Sequence, residues 1–307
     1  MTRTTASLLF GVALALAIPT LAARAAERPS LTIADQPVRI LRGASVFKGL
    51  VGVPLLADDI IETGAGGAQV ELSADLMVAL APETRICLAS IGNKATAHSE
   101  LLLLSGWIKV ANKLGPANGH VVISTPLLRI ELDNGESIVH QLAGKAEMFA
   151  EDGGQTVAAY DERGKPGAPV KLGREQHATG LPGAAPKVLP RPPKSFIAEM
   201  PVAFRDPVAA APDRLKGAKV QAAKEREASY ADAGPWLETR IGARKAPVSR
   251  FLARLSDPLF RKQLDAQLGQ SAEWKHILHP PETASAAPPA PPHSVPTETP
   301  DGTRPQP

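Results

Sequence analysis

The side chains best suited to bond-making chemistry in this 307-residue chain are Glu131 and Asp133, which flank a strand end, with His140 just beyond the turn that follows. Two carboxyl groups held close together are what glycoside hydrolysis requires, one as acid and one as base or nucleophile. A histidine nearby would add a second proton carrier. Trp107, in the run Gly106-Trp107-Ile108-Lys109-Val110, has the shape of a stacking floor for a sugar ring, although a strand tryptophan more often fills a core position. Alternation along strands produces such acid pairs by chance, so the pair matters only if its carboxyls converge in space. His276 and His279 have the i, i+3 spacing that puts two imidazoles on one helical face. Zinc needs about four ligands, or three plus water, and no third ligand stands at a telling distance. Asp58, Asp59 and Glu62 cluster near a turn and offer hard oxygens to calcium, but they read more simply as a solvated turn. The serine-nucleophile pattern G-x-S-x-G is absent from the chain, and Gly115 to Gly119 lacks the Gly-Lys-Ser/Thr ending of a phosphate-binding loop. Arg240, Arg244, Lys245 and Arg250 are candidates for meeting an anionic lipid or polymer, and otherwise read as the wet faces of short helices. On this reading no catalytic, cofactor-binding or metal-ligating residue is assigned, and no cofactor is expected.

The elements around these residues change character along the chain. Residues 31–180 read as all-β. Short runs rich in Val, Ile and Leu recur, such as Ala68 to Leu72, Leu76 to Leu80, His120 to Thr125 and Leu128 to Leu132, most bounded by turn residues. Asp133-Asn134-Gly135 has hairpin chemistry. The fold class expected is mainly β, an antiparallel sandwich or jelly-roll or a short β-solenoid, with a small C-terminal helical segment. Residues 181–212 form a Pro-rich strap whose apolar anchors, Phe196, Met200 and Phe204, suit docking onto the neighbouring domain. Residues 213–279 read as helical. Asp213 caps a first Ala-, Lys- and Glu-rich helix that Gly234-Pro235 breaks, Trp236-Leu237 begins a second, and Pro247 starts a third. Asp257-Pro258 starts a helix with Phe260, Leu264 and Leu268 on one face. Residues 280–307 are rich in Pro, Ala, Ser and Thr, and disorder is expected there.

The first 25 residues read as a secretory signal peptide. Arg3 precedes the apolar run Leu8 to Ile18, and Ala23-Arg24-Ala25 supplies small residues for cleavage after Ala25. The apolar run is short of the about 20 residues of a comfortable span. An uncleaved segment would instead tether the protein to a membrane. Without Arg3 and Arg24 the chain carries 32 basic against 31 acidic side chains, a balance that argues against nucleic acid as partner. Cys87, the only cysteine, has no partner for an internal disulfide and suits a small core position.

A string of short motifs carries a family resemblance. Gly52-Val53-Pro54-Leu55-Leu56-Ala57-Asp58-Asp59-Ile60-Ile61-Glu62-Thr63-Gly64 is followed by Ala68 to Leu72 and Leu76 to Leu80. Then come Leu103 to Val110, Val121 to Pro126, Gly144 to Met148 and Leu172 to Gln176. In this order they resemble the FecR domain, a periplasmic β-rich module. The chain departs from the family pattern at Ser73-Ala74-Asp75, where the family has a turn glycine. It departs again at Ile130 to Gly135, which lacks the expected Gly-Thr-x-Phe-x-Val. Met200 to Pro207, Trp236-Leu237, Asp257 to Leu264 and Glu273-Trp274 resemble the C-terminal extension of secreted members of the family. Signalling members carry a cytoplasmic sigma-factor-binding region ahead of a membrane span. Only a few residues precede the apolar run here, so the resemblance extends to the periplasmic half.

The expected function is therefore that of a non-catalytic exported FecR-domain protein, a periplasmic interaction or signalling module that contacts an envelope protein or glycan. Strand addition at a sheet edge is one physical means of such contact. The alternative is an envelope polysaccharide- or peptidoglycan-acting hydrolase, or a glycan-binding protein, built on Glu131, Asp133 and His140 over Trp107.

Overall fold

The computed structural model describes residues 29–92, 98–113, 119–210, 220–239 and 244–280. The proposed leader and the tail beyond Pro280 lie outside them, as do Asp213, Arg240 and residues 115–118. The first strands are β1 (Ser30–Ala34), β2 (Val38–Arg42), β3 (Ser45–Gly49), β4 (Ile60–Glu62), β5 (Ala68–Ser73), β6 (Leu76–Leu80) and β7 (Arg85–Ser90). A long β8 (His98–Asn112) follows, then β9 (His120–Ser124), β10 (Leu128–Leu132), β11 (Gly135–Leu142) and β12 (Lys145–Ala150). After β13 (Gln155–Ala159), β14 (Val170–Leu172), β15 (His177–Gly180) and β16 (Lys187–Leu189) comes the short helix α1 (Lys194–Glu199). The chain ends with β17 (Ala223–Glu227), α2 (Tyr230–Leu237), α3 (Pro247–Phe251), α4 (Pro258–Leu268) and α5 (Lys275–Leu278).

Hydrogen bonding sorts the strands into two sheets. Sheet A runs β1-β5-β6-β8-β11-β12-β15-β16. Sheet B runs β17-β3-β2-β4-β7-β8-β9-β10-β13-β14. Among the described residues only β8 and β9 pair in parallel. The inward side chains of both sheets, among them Val70, Val78, Val110, Val139 and Met148 from A and Ile40, Ile61, Ile86, Ile130 and Val157 from B, form one buried core. The protein is thus a mainly β sandwich with a small C-terminal helical segment. The solenoid option falls, because a solenoid stacks parallel strands.

One strand serves both sheets. The first half of β8 pairs with β7 and β9, and its second half with β6 and β11. The switch is at Gly106, with φ of +87°, where a Cβ would sit 2.7 Å from Thr84 Cα and 2.9 Å from the Glu83 carbonyl oxygen. Only glycine meets both demands. The Thr84 hydroxyl holds the corner, accepting from Trp107 N at 3.1 Å.

The structure corrects four local expectations. Asp133-Asn134-Gly135 is no hairpin: β10 lies in sheet B and β11 in sheet A, so the turn is an arch between layers. Gly135 makes it at φ +101°, against the backbone of Asp152. The segment 213–279 is not helical throughout. Ala223–Glu227 is a strand, exposed along its length and paired with β3, because tertiary pairing overrides the helix preference of Ala, Lys and Glu. Gly234-Pro235 does not break a helix but lies inside α2. That helix starts at a capping box in which Ser229 and Asp232 satisfy each other's backbone N–H groups. Sheet A also extends past residue 180, through β16. In α4, Asp257 caps Leu259 N at 3.0 Å, and Pro258 occupies the first turn.

Both outer faces of the sandwich are covered by the C-terminal half of the chain. On sheet B, Leu41, Val46, Ile60, Cys87, Leu102 and Leu104 pack against the helices through Trp236, Phe251, Phe260 and Trp274. On sheet A, residues 194–210 lie across the face as a strap, burying Phe196, Met200, Phe204 and Val208.

Candidate functional site

The polar cluster that the fold assembles is on the outer face of sheet A. Strand alternation turns Val139, Ala146, Met148 and Ala178 into the core, and so turns His140, Glu147 and His177 outward. Cross-strand register then aligns them. Trp107 of β8 stands opposite His140 of β11, His140 opposite Glu147 of β12, and Phe149 opposite His177 of β15. The Trp107 and His140 rings stack at 3.8 Å between centroids. His140 Nδ1 is 3.8 Å from one Glu147 oxygen and His177 Nε2 is 3.6 Å from the other. Lys145 Nζ pairs with Glu147 at 2.9 Å.

This group is sealed. Phe196 of α1 contacts Trp107 at 5.1 Å, His177 at 4.9 Å and Phe149 at 6.3 Å between centroids. His177 is 0% exposed, Glu147 2% and His140 5%. Among the described residues both nitrogens of His177 and the Nδ1 of His140 lack a hydrogen-bond partner. Burial lowers the His177 pKa below the ordinary histidine value; the Glu147 charge works against that and Lys145 adds to it. Burial by itself would raise the Glu147 pKa, but His140, Lys145 and His177 together hold it below the usual carboxylate range.

A second polar group pins the far half of the strap. Lys109 of β8, 1% exposed, donates to the carbonyls of Phe204 at 3.0 Å and Asp206 at 2.9 Å. It also pairs with Glu136 at 3.0 Å and Glu151 at 2.6 Å. Gln69 of β5 donates to Ala209 O at 2.8 Å. A buried ammonium is tolerated only when it is solvated by the protein, and here two carbonyls accept its hydrogens while two carboxylates stand at ion-pair distance.

The acid pair read from the sequence does not assemble. Glu131 is on sheet B, bonded to Arg129 at 3.1 Å and Thr156 at 3.4 Å. Asp133 meets His120 at 2.9 Å near the surface. His140 is on the other sheet, and its carboxylate neighbour is Glu147, which the sequence did not single out. Asp58, Asp59 and Glu62 also diverge. Asp59 is buried and clamped bidentately by Arg42 at 2.9 and 2.6 Å, while Glu62 pairs with Arg85 at 2.8 Å and Arg39 at 3.3 Å. His279 is bonded to Asp265 at 2.8 Å, and His276 is exposed on α5.

The basic residues near the helices are not simply wet faces. Arg250 donates to the carbonyls of Gly43, Asp58 and Leu41 and lies 4.8 Å over Trp236. Arg244 pairs with Glu273 at 2.7 Å, and Lys245 donates to Ala89 O at 2.9 Å. They tie the helices to the sheet, because carbonyls left at turns and strand ends need donors. A recess of about 220 Å³ lies between the β2–β3 turn and α3, lined by Arg42, Leu56, Asp58, Lys245, Ser249 and Arg250; its three cations are committed to Asp59 or to backbone carbonyls, while among the described residues Asp58 Oδ1 has no hydrogen-bond partner. Cys87 is buried beneath the helices, its thiol pushed up to about 12 by burial, and is chemically inert.

Three open sheet edges are short or charged. β14 and β16 have three residues each, and β17 carries the sequence Ala-Lys-Glu-Arg-Glu. Such edges discourage uncontrolled pairing. The free edge of β1 is taken up by the 50–55 segment, with Leu31 N bonded to Val53 O at 3.0 Å.

No protein-family model matches the chain, and no curated protein matches it. Two crystal structures of a candidate anti-sigma factor from Parabacteroides distasonis match 42% of this chain, at 13% and 12% identity and a TM-score of 0.35. The match spans 57% of that protein's chain, just over half its length. A likeness this distant transfers neither architecture nor role.

Proposed function

We propose that this chain is an exported, non-catalytic binding module of the bacterial envelope, of FecR-domain type, that acts by contact with an envelope protein or glycan. One observation carries the reading: the ionisable groups that offered chemistry are spent on holding the scaffold. Asp59 is engaged by Arg42, Glu131 by Arg129 and Asp133 by His120, while Lys109 and Arg250 are committed to backbone carbonyls. The most exposed large apolar side chains, Val202 at 70% and Leu259 at 65%, lie on the two C-terminal covers, where a partner would meet them first. Export rests on the leader sequence. Among the described residues no helix is long and apolar enough to cross a membrane.

A second reading has one observation in its favour. Trp107, His140 and Glu147 form a stacked aromatic floor beside an imidazole and a carboxylate, the kind of group an envelope hydrolase would use if the strap lifted. One experiment separates the two. The exported protein is incubated with purified labelled peptidoglycan, and both its co-sedimentation and the release of soluble label are followed. Binding without release supports the module. Release that Glu147→Gln abolishes would sink it. If the protein neither sediments nor releases label, cross-linking in the periplasm must return a protein partner held through the covers. N-terminal sequencing of the exported form tests the leader, with a start at Ala26 expected.

A further inference from the structure

The two halves of the strap are held by different chemistry. Residues 204–209 are anchored by hydrogen bonds from Lys109 and Gln69 to their backbone carbonyls. Residues 194–200, the six-residue helix α1 and the Met200 that follows it, sit on sheet A by apolar contact through Phe196 and Met200. The surface under Phe196 holds two imidazoles and a carboxylate, with three ring nitrogens unpartnered. Pro201 stands between the halves.

We propose that residues 194–200 form an acid-released flap, lifted when His177, sealed under Phe196 beside Glu147, takes up a proton, while residues 204–209 stay docked. A neutral imidazole tolerates a dry aromatic cover, whereas an imidazolium with two N–H donors and no acceptor in bonding range requires water. The charged groups around His177 do not supply a substitute. Glu147 attracts the proton, but its Oε1 is already engaged by Lys145, whose ammonium repels it. His140, on the other side of Glu147, competes for the same carboxylate. Lys187 on β16 and Lys194 and Glu199 on α1 point to solvent, exposed, and form no ion pair among the described residues. A cation–π contact with Phe196 would return only about 0.5–2 kcal/mol, less than the hydration a buried charge forgoes.

The sign of the pH effect follows. The closed state depresses the His177 pKa, so it is favoured fully above the ordinary histidine value and loses that advantage as pH falls below it. Glu147, also depressed, pushes the same way at more acid pH, as its charge is lost below the ordinary carboxylate range. Both titrations open the flap on acidification.

Thiol accessibility tests this in the full exported chain. Met200→Cys places a thiol under the flap, where the native side chain is 8% exposed. Val208→Cys, at a position 6% exposed, places one under the anchored half. The probe is 4,4′-dithiodipyridine, which reads thiols in mild acid. Buried Cys87 reports global unfolding in the same tube. From about pH 7.5 to about pH 5.5, the Met200→Cys labelling rate, normalised to an unfolded control, should rise at least about threefold; each unit of separation between open and closed titrations can deliver at most about tenfold. Val208→Cys and Cys87 should stay protected. His177→Gln should flatten the response, and Glu147→Gln should enlarge it by removing the counter-charge. A rate that does not change with pH would overturn the flap, as would a response intact in His177→Gln, or Val208→Cys or Cys87 reacting in step. Should His177→Gln fail to fold, Phe196→Ala, which removes the ring over His177, is expected to raise Met200→Cys labelling at the higher pH and flatten the response, and an unchanged one counts against the proposal.

Discussion

The two outer faces of the sandwich solve the same problem with different materials. Sheet B presents apolar side chains and is covered by helices whose aromatic rings interlock, with Trp236 against Phe251 at 6.0 Å and Phe251 stacked on Phe260 at 5.9 Å. Sheet A presents Gln69, Lys109, His140, Glu147 and His177 and is covered by an irregular strap. Apolar burial is non-directional and is served by any well-packed surface. A polar face must be covered by chain that can offer backbone carbonyls in the right places, and a strap with free carbonyls does this where a helix, whose carbonyls are mostly paired internally, does not. The helical cover should therefore set global stability, and the strap local opening.

The contrast can be broken by substitution. The largest effect is expected at Trp236, 1% exposed beneath the helices. Trp236→Ala should cost about 3–5 kcal/mol in a denaturant melt. A loss below about 1 kcal/mol would mean that the helices are as dispensable as the strap. Next is Lys109→Met, which keeps the stem and removes the ammonium. Glu136 and Glu151 are partly solvated, so the loss should be about 2–3 kcal/mol, short of that for a wholly buried pair. It should appear in hydrogen exchange as lost protection at residues 204–209, ahead of any change in the helices. Equal loss on both faces would show that the covers are coupled.

The smallest effect should be at the polar rim of the helical cover. Asp232 accepts from Ser229 N at 2.8 Å and binds Arg226 of β17 at 2.6 and 2.9 Å. Burial opposes its charge, but the Arg226 and Ser229 bonds outweigh that and hold its carboxyl below the usual range. Asp232→Asn should cost about 1–2 kcal/mol at neutral pH. A depressed carboxyl contributes stability that is present above its ordinary value and lost on acidification. The gap between variant and parent should therefore close as pH is lowered past the ordinary aspartate range, which paired melts at neutral and acid pH would show.

Much of the scaffold was legible in the residues. Leu76–Leu80 is continuously apolar and Leu128–Leu132 alternates, and both are strands; Asp257-Pro258 announces α4 because cap and first-turn proline act locally. Gly106 stood out in its motif, and the tight approach of Thr84 explains the glycine. Other elements were hidden. Ser229-x-x-Asp232 was a readable capping box, masked by the weight given to Gly234-Pro235. Nothing local marks Ala223–Glu227 as a strand, since its shape comes from the free edge of β3.

The candidate site was less legible. Sequence proximity joins Glu131 and Asp133, which lie on a strand of the other sheet and in the arch after it, to His140 and Trp107. Their true neighbours, Glu147 and His177, look like ordinary outward residues of unremarkable strands. Sequence by itself fixed which residues alternate, where turns and caps fall, and that Cys87 has no disulfide partner in this chain, because these depend on residue type and short-range geometry. Only the tertiary structure decided which sheet each strand joined, which face each outward residue shared, and that a strap would seal two imidazoles beside a carboxylate. Those outcomes depend on register and layer crossing, set jointly by contacts between segments far apart in the chain.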